Sequence, residues 1–239
     1  MSNSARLKKS IFWDFHGTLE VPDHKWVRLL ERALRSEGYG IHTDELNQAL
    51  LNAYTWNNYQ RSYTSRTGTV WWDDLFISIF PFFERYGIDR KTGDAVLSLF
   101  QSEMLRVENY VLFDDAVGTL EQCQILGYKN YLLSNNFPEL EMLVKQLPIA
   151  HFFDGYIVSA CFGYEKPRIE IFEYAKSIAE NPDICYMIGD NLVADIAGGS
   201  AAGMKTILVH KSVDSFSQKQ EITPDHCVNT LSEIPETLV

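Results

Sequence analysis

At 239 residues, with 46% hydrophobic and 13% aromatic content, the chain is long enough for one large domain or for a core carrying an insertion. Its 32 acidic residues against 21 basic give a formal net charge of −11, the wrong sign for a polyanion. Counterion release needs clustered Lys and Arg, so neither nucleic acid nor an anionic membrane is expected as a main partner. The polar opening Met1 to Ser10, and an apolar run interrupted at once by Asp14, fit neither a signal peptide nor a membrane span, and a cytoplasmic location is expected.

The first apolar run, Ile11-Phe12-Trp13, leads into Asp14 and Gly17 and predicts a buried strand ending in a tight loop. Trp26, Leu29, Leu30, Ala33 and Leu34 then recur at helical spacing, with Gly38 at the expected stop. Thr43 offers an N-cap ahead of Leu46, Ala49, Leu50 and Ala53. A third helical pattern runs from Trp71 to Gly87, with a kink or break expected at Pro81, and a fourth covers about Thr92 to Leu105. From there the pattern alternates. Helices are expected at Asp115–Ile125, near Glu139–Gln146, at Ile169–Ala179 and at Ala194–Ala202. Strands are expected at Tyr131–Leu133, Gly155–Ser159, Ile184–Ile188 and Lys205–Val209. Continuous apolar strands alternating with helices predict an α/β fold: a Rossmann-like parallel sheet covered by helices on both faces. Residues 1–19 and 111–239 would form this core, and residues 20–110 an inserted all-helical cap. The four cysteines, Cys123, Cys161, Cys185 and Cys227, lack the close spacing of a zinc site and are expected as reduced thiols.

Four polar segments each follow an apolar run, and ligands in open α/β sheets bind beyond the carboxyl ends of the strands. Asp14 is placed to act as a nucleophile or as a metal ligand. Asp190 follows Ile188-Gly189 at a second strand end, with Asp195 five residues on; neighbouring acidic groups repel unless a hard cation such as Mg²⁺ sits between them. Lys166 would neutralise phosphate oxygens and orient the nucleophile, and Ser134 would donate a hydrogen bond to the same phosphate.

Taken in order, Trp13-Asp14-Phe15-His16-Gly17-Thr18, Leu133-Ser134-Asn135, Gly163-Tyr164-Glu165-Lys166-Pro167 and Ile188-Gly189-Asp190 through Asp195 resemble the haloacid dehalogenase-like hydrolase superfamily, in the branch with a small helical cap after the first motif. The resemblance covers essentially the whole chain. It implies that Asp14 attacks phosphorus and that Asp14, Asp190 and the backbone carbonyl of His16 bind Mg²⁺. It also implies that Asp195 supports the metal's water shell or Lys166, and that Ser134, Asn135 and Lys166 hold the phosphoryl group.

One position departs from the pattern. Phosphatases of this superfamily usually carry a second Asp two residues after the nucleophile, as acid and base; here it is His16. An imidazole titrates near neutral pH and can do this work. The expected function is Mg²⁺-dependent hydrolysis of a small organic phosphomonoester through an aspartyl-phosphate on Asp14. The alternatives are a 2-haloacid dehalogenase-type hydrolase and a catalytically impaired binding protein. The dehalogenase branch works without metal and does not keep the Asp190 and Asp195 pair, which favours phosphate. In the cap, the aromatic segment Tyr54–Arg66 is suited to stack on an organic phosphate. Two of Trp56, Trp71 and Trp72 are expected simply to pack the helices, and Arg61 and Arg66 to meet a second anionic group. A monomer or homodimer is expected.

Overall fold

The computed structural model describes residues 7–210 and 222–238. Its strands are β1 (Lys9–Trp13), β2 (Lys129–Ser134), β3 (Phe153–Val158), β4 (Ile184–Gly189), β5 (Lys205–Val209) and β6 (His226–Val228). They form one sheet in the order β3-β2-β1-β4-β5-β6, with every adjacent pair parallel. The period of two sends β1 side chains to opposite faces: Ile11 and Trp13 join a large core on one side, and Phe12 joins Tyr131, Leu133 and Met187 on the other. Both faces are thus apolar, as a fully covered parallel sheet requires. β6, only three residues long, gave no sequence signal.

Between β1 and β2 lie α1 (Lys25–Ser36), α2 (Thr43–Ala53), α3 (Val70–Arg85) and α4 (Arg90–Met104). α1 packs on α2 and α4, and α2 on α3. Each helix buries the face its periodicity marks; in α1 that face is Val27, Leu29, Leu30, Ala33 and Leu34, where a fully buried aliphatic side chain contributes roughly 1.5–3 kcal/mol. Two expectations are corrected here. The N-cap of α2 is His42, whose Nδ1 accepts from the Asp44 N–H at 3.4 Å, and Thr43 is the first helical residue. α3 runs through Pro81 without a break, because Pro81 sits on its exposed side while Phe80, Phe82 and Phe83 anchor the turn in the core.

The remaining α-helices among the described residues are α5 (Ala116–Ile125), α6 (Leu140–Val144), α7 (Ser159–Phe162), α8 (Ile169–Ile178), α9 (Gly198–Ala201) and α10 (Ile234–Thr237). The helix expected over Ala194–Ala202 is instead a π-helical stretch, Leu192–Ala197, continued by α9. Asn191 sets this up: its side chain accepts from Val193 and Ala194, while its carbonyl accepts from both Asp195 and Ile196. The widened turn carries Asp195 inward, and such turns recur at functional sites. None of the four cysteines is in a disulfide.

The helical layer is tied to the sheet beside the site. The Tyr63 N–H donates to Gly163 O at 2.7 Å, the Gly68 N–H to Ala160 O at 2.9 Å, and the Thr55 hydroxyl to the buried Glu165 carboxylate at 2.5 Å. Trp72 adds an indole bond to Glu139 at 2.9 Å.

Candidate active site

The strand order reverses on either side of β1, and a parallel sheet opens a crevice at its carboxyl edge at such a point. Asp14 stands there, directly after β1, with its N–H extending the ladder to Ile188 O at 2.9 Å. One carboxylate oxygen, Oδ1, accepts from Ser134 Oγ at 2.8 Å and from Lys166 Nζ at 2.9 Å. Lys166 is buried and spends its other donors on Leu133 O at 2.9 Å and Asp195 Oδ1 at 2.5 Å. Burial works to lower the lysine's pKa, but Asp14 and Asp195 outweigh it and hold the ammonium above its ordinary value. Asp195 has no solvent exposure; burial pushes its carboxyl up, Lys166 pulls it back, and Asp14 and Asp190 add to the rise. Its second oxygen accepts from the Asn191 N–H at 3.0 Å, so both oxygens are engaged within the protein.

Asn135 holds the lysine from behind. Its carboxamide donates to Lys166 O at 2.9 Å and accepts from the Lys166 N–H at 2.7 Å. The side chain expected to meet phosphate is therefore committed to the Lys166 main chain.

Carboxylate oxygens of Asp14, Asp190 and Asp195 lie within 4.8 Å of one another. An all-oxygen donor set with more negative charge than one lysine balances suits a hard divalent cation. Two glycines permit this crowding. A Cβ on Gly17, whose φ is +76°, would lie 2.6 Å from an Asp190 oxygen, and one on Gly189 would lie 2.1 Å from Asp195 Oδ2.

His16 brings in residues that the sequence did not single out. Its Nδ1–H donates to Glu20 Oε2 at 2.8 Å, the direction that an acceptor-only carboxylate requires. Glu20 is itself buried, and its other oxygen accepts from the buried Lys25, which also pairs with Asp23 at 3.1 Å and lies 4.5 Å from the Tyr110 ring centre. The His16 Nε2 is sheltered from solvent and has no hydrogen-bond partner among the described residues. Lys25 and Glu20 escaped notice because charged residues between a loop and a helix start ordinarily face water; their burial is a tertiary fact.

A cavity of about 730 Å³ opens above the cluster, within the usual range for a small-molecule site. Asp14, His16, Ser134, Asn135, Lys166, Asp190 and Asp195 all line it, together with Glu20, Trp26, Tyr54 and Trp56 from the other side. Trp71 and Trp72 are core residues and Trp56 is the one of the three on the cavity wall. Trp26, which reads as a helix-packing position, is also on the wall. Arg61 and Arg66 are not brought in: neither lines the cavity, and Arg66 is paired with Asp74 through Nε at 2.6 Å.

Residues 163–234 match the family model described as HAD-hydrolase-like. Over 204 residues the chain is 26% identical to haloacid dehalogenase-like hydrolase domain-containing protein 3 of Homo sapiens, covering 82% of this chain and 80% of that protein. Over 104 residues it is 36% identical to glyceraldehyde 3-phosphate phosphatase of Methanothermobacter thermautotrophicus, covering 42% of this chain and 46% of that one. Among solved structures, the magnesium-bound HAD-hydrolase YfnB of Bacillus subtilis superposes with a TM-score of 0.71 at 20% identity, covering 98% of this chain and 99% of that chain. The parallel sheet with its acidic edge agrees with these likenesses, which are all to haloacid dehalogenase-like (HAD) hydrolases and phosphatases.

Proposed function

We propose that the protein is a Mg²⁺-dependent phosphatase that hydrolyses a small organic phosphomonoester by way of a phosphoryl group carried on Asp14. The observation that carries this reading is the grip on Asp14. Ser134 and Lys166 both bind Oδ1, which turns the other oxygen toward a substrate, and they are placed to hold a phosphoryl oxygen as the group arrives. The Asp190 and Asp195 carboxylates beside it support phosphate over halide chemistry, and a phosphatase stands among the relatives.

Asp14 attacks phosphorus as the bond to the leaving oxygen breaks, and His16 gives that oxygen a proton from Nε2. His16 then takes a proton from water, which attacks the phosphorus and releases phosphate, restoring the carboxylate. Glu20 fixes the ring by holding Nδ1–H, so that Nε2 is the nitrogen that exchanges the proton. Asp195 positions Lys166, and Asn135 positions that lysine's backbone. Mg²⁺, held by Asp14, Asp190 and the His16 carbonyl, would neutralise charge on the phosphoryl oxygens. Residues 20–110 act in this reading as the cap that keeps water from the reacting group, over a core of residues 1–19 and 111–239.

The test is trapping. An aryl phosphate with a good leaving group needs little acid assistance, so the His16→Ala variant should still form the phosphoenzyme and be slow to clear it. Acid quenching during turnover with Mg²⁺, followed by peptide mass spectrometry, is expected to find one phosphoryl group on the peptide holding Asp14 and none in Asp14→Asn. A phosphoryl group on any other residue would refute the assignment.

A further inference from the structure

The tryptophans near the cavity fall into two groups. Of the five tryptophans, Trp13, Trp71 and Trp72 donate their indole N–H groups inside the fold, to Asn130, Thr55 and Glu139. The other two, Trp26 and Trp56, line the cavity, and both are only partly buried. Other rings hold them in place. Trp56 stacks on Tyr54 with ring centres 4.4 Å apart and planes 22° apart, and lies nearly parallel to Trp71 at 6.1 Å and 17°. Trp26 packs edge-on to Trp56 at 5.6 Å and touches Trp71, Trp72 and Phe137 within 6.4 Å. Rings fixed in this way stack on a planar ligand without first having to be ordered, which is where flexible surfaces lose affinity.

The charges on the wall narrow the ligand further. The cavity carries Asp14, Glu20, Asp23, Asp190 and Asp195 against Lys25 and Lys166, and both lysines are already engaged, Lys166 by Asp14 and Asp195 and Lys25 by Glu20 and Asp23. Lys166 serves the phosphoryl end. A second phosphate or a carboxylate further out would face Glu20, Asp23 and the negative faces of two indoles.

We propose that Trp26 and Trp56 form a ring-stacking subsite, and that the substrate is a monophosphate ester whose leaving group is an uncharged group bearing a planar ring, of which a nucleoside monophosphate is the fitting example. Esters with a second anionic group, such as sugar bisphosphates and phosphoglycolate, are rejected by the same wall. This deepens the phosphatase reading and rests on it for the reaction, though not for the binding.

The experiment compares kcat/KM, with Mg²⁺, for uridine monophosphate, glycerol phosphate, phosphoglycolate and a sugar bisphosphate. In parallel, calorimetry measures binding of the same four to Asp14→Asn. Stacking of one base is worth roughly tenfold or more in affinity, so uridine monophosphate is expected to lead the other three by about that factor in both assays. Trp56→Ala should bring uridine monophosphate and glycerol phosphate close to parity through KM, and Trp56→Phe should keep the difference. A preference for any of the other three compounds, or an advantage untouched in Trp56→Ala, overturns the subsite. Ring-selective binding without turnover of any ester would leave the subsite standing and refute the phosphatase reading instead.

Discussion

His16, which stands where the resemblance leads one to expect an acid/base Asp, is met four residues later by the carboxylate of Glu20 at 2.8 Å. Glu20 is buried between His16 Nδ1 and Lys25, so it suits an imidazole and would repel an aspartate placed at position 16. That repulsion makes the effect of Glu20→Gln depend on its neighbour. In the native background the substitution is expected to lower kcat roughly tenfold, as the imidazole loses the carboxylate that orients it. In a His16→Asp background it is expected to raise kcat, because it removes a like charge. Steady-state kinetics of the four proteins measures both signs, and a loss in both backgrounds would reduce Glu20 to a structural role. At this scale the sequence was most legible where a polar residue closes an apolar run, as with Asp14, Ser134 and Asp190. Glu20 and Lys25 were hidden because their burial depends on α1 folding back over the first loop, which no local pattern reports.

Among the elements, the contact between the helices that follow β1 and the sheet shows how local patterns and tertiary contacts divide the work. Glu165 precedes the site lysine, and one of its carboxylate oxygens accepts from the Thr55 hydroxyl while the other is buried with no hydrogen-bond partner among the described residues. Burial raises its pKa to about 6 from an ordinary 4.5, against the lowering pull of Thr55, Ser159 and Lys166. The folded protein therefore holds this proton more tightly than the unfolded chain. The stabilisation is fully present below about pH 4.5 and is lost as pH rises through about 6, a loss of about 2 kcal/mol from this group. Glu165→Gln removes that loss. Denaturant melts should show the variant more stable than the native chain at pH 8, with the gap closing toward pH 4.5; a gap independent of pH would contradict the argument. Helix and strand positions were readable to within a few residues because amphipathic periodicity is local. The unbroken α3 and the π-helical stretch were not. Pro81 is tolerated because flanking Phe80, Phe82 and Phe83 bind the helix to the core. The widened turn is imposed by the Asn191 side chain together with the bonds of Asp195 to Lys166 and the Asn191 N–H.

For the molecule as a whole, the alternation of strands and helices was enough to anticipate a parallel α/β sheet, since such strands must be buried on both faces. The order β3-β2-β1-β4-β5-β6 was not in the pattern, and it is this order that brings Asp14, Ser134, Lys166 and Asp190 to one crevice. Trp26 shows the same limit from the helices that follow β1: its helical spacing is genuine, yet its place on the cavity wall follows from how α1 meets the sheet.

The central claim is that Asp14 works as a phosphoryl acceptor in a magnesium-assisted site, and it is tested most directly by phosphate release from an aryl phosphate, native chain against Asp14→Asn, with Mg²⁺ and with chelator. Turnover by the native chain with Mg²⁺ is expected, with near-complete loss on chelation and near-complete loss in Asp14→Asn. Phosphate release that survives either change, or halide release from a haloacid by a native chain that leaves every phosphate ester intact, would contradict it.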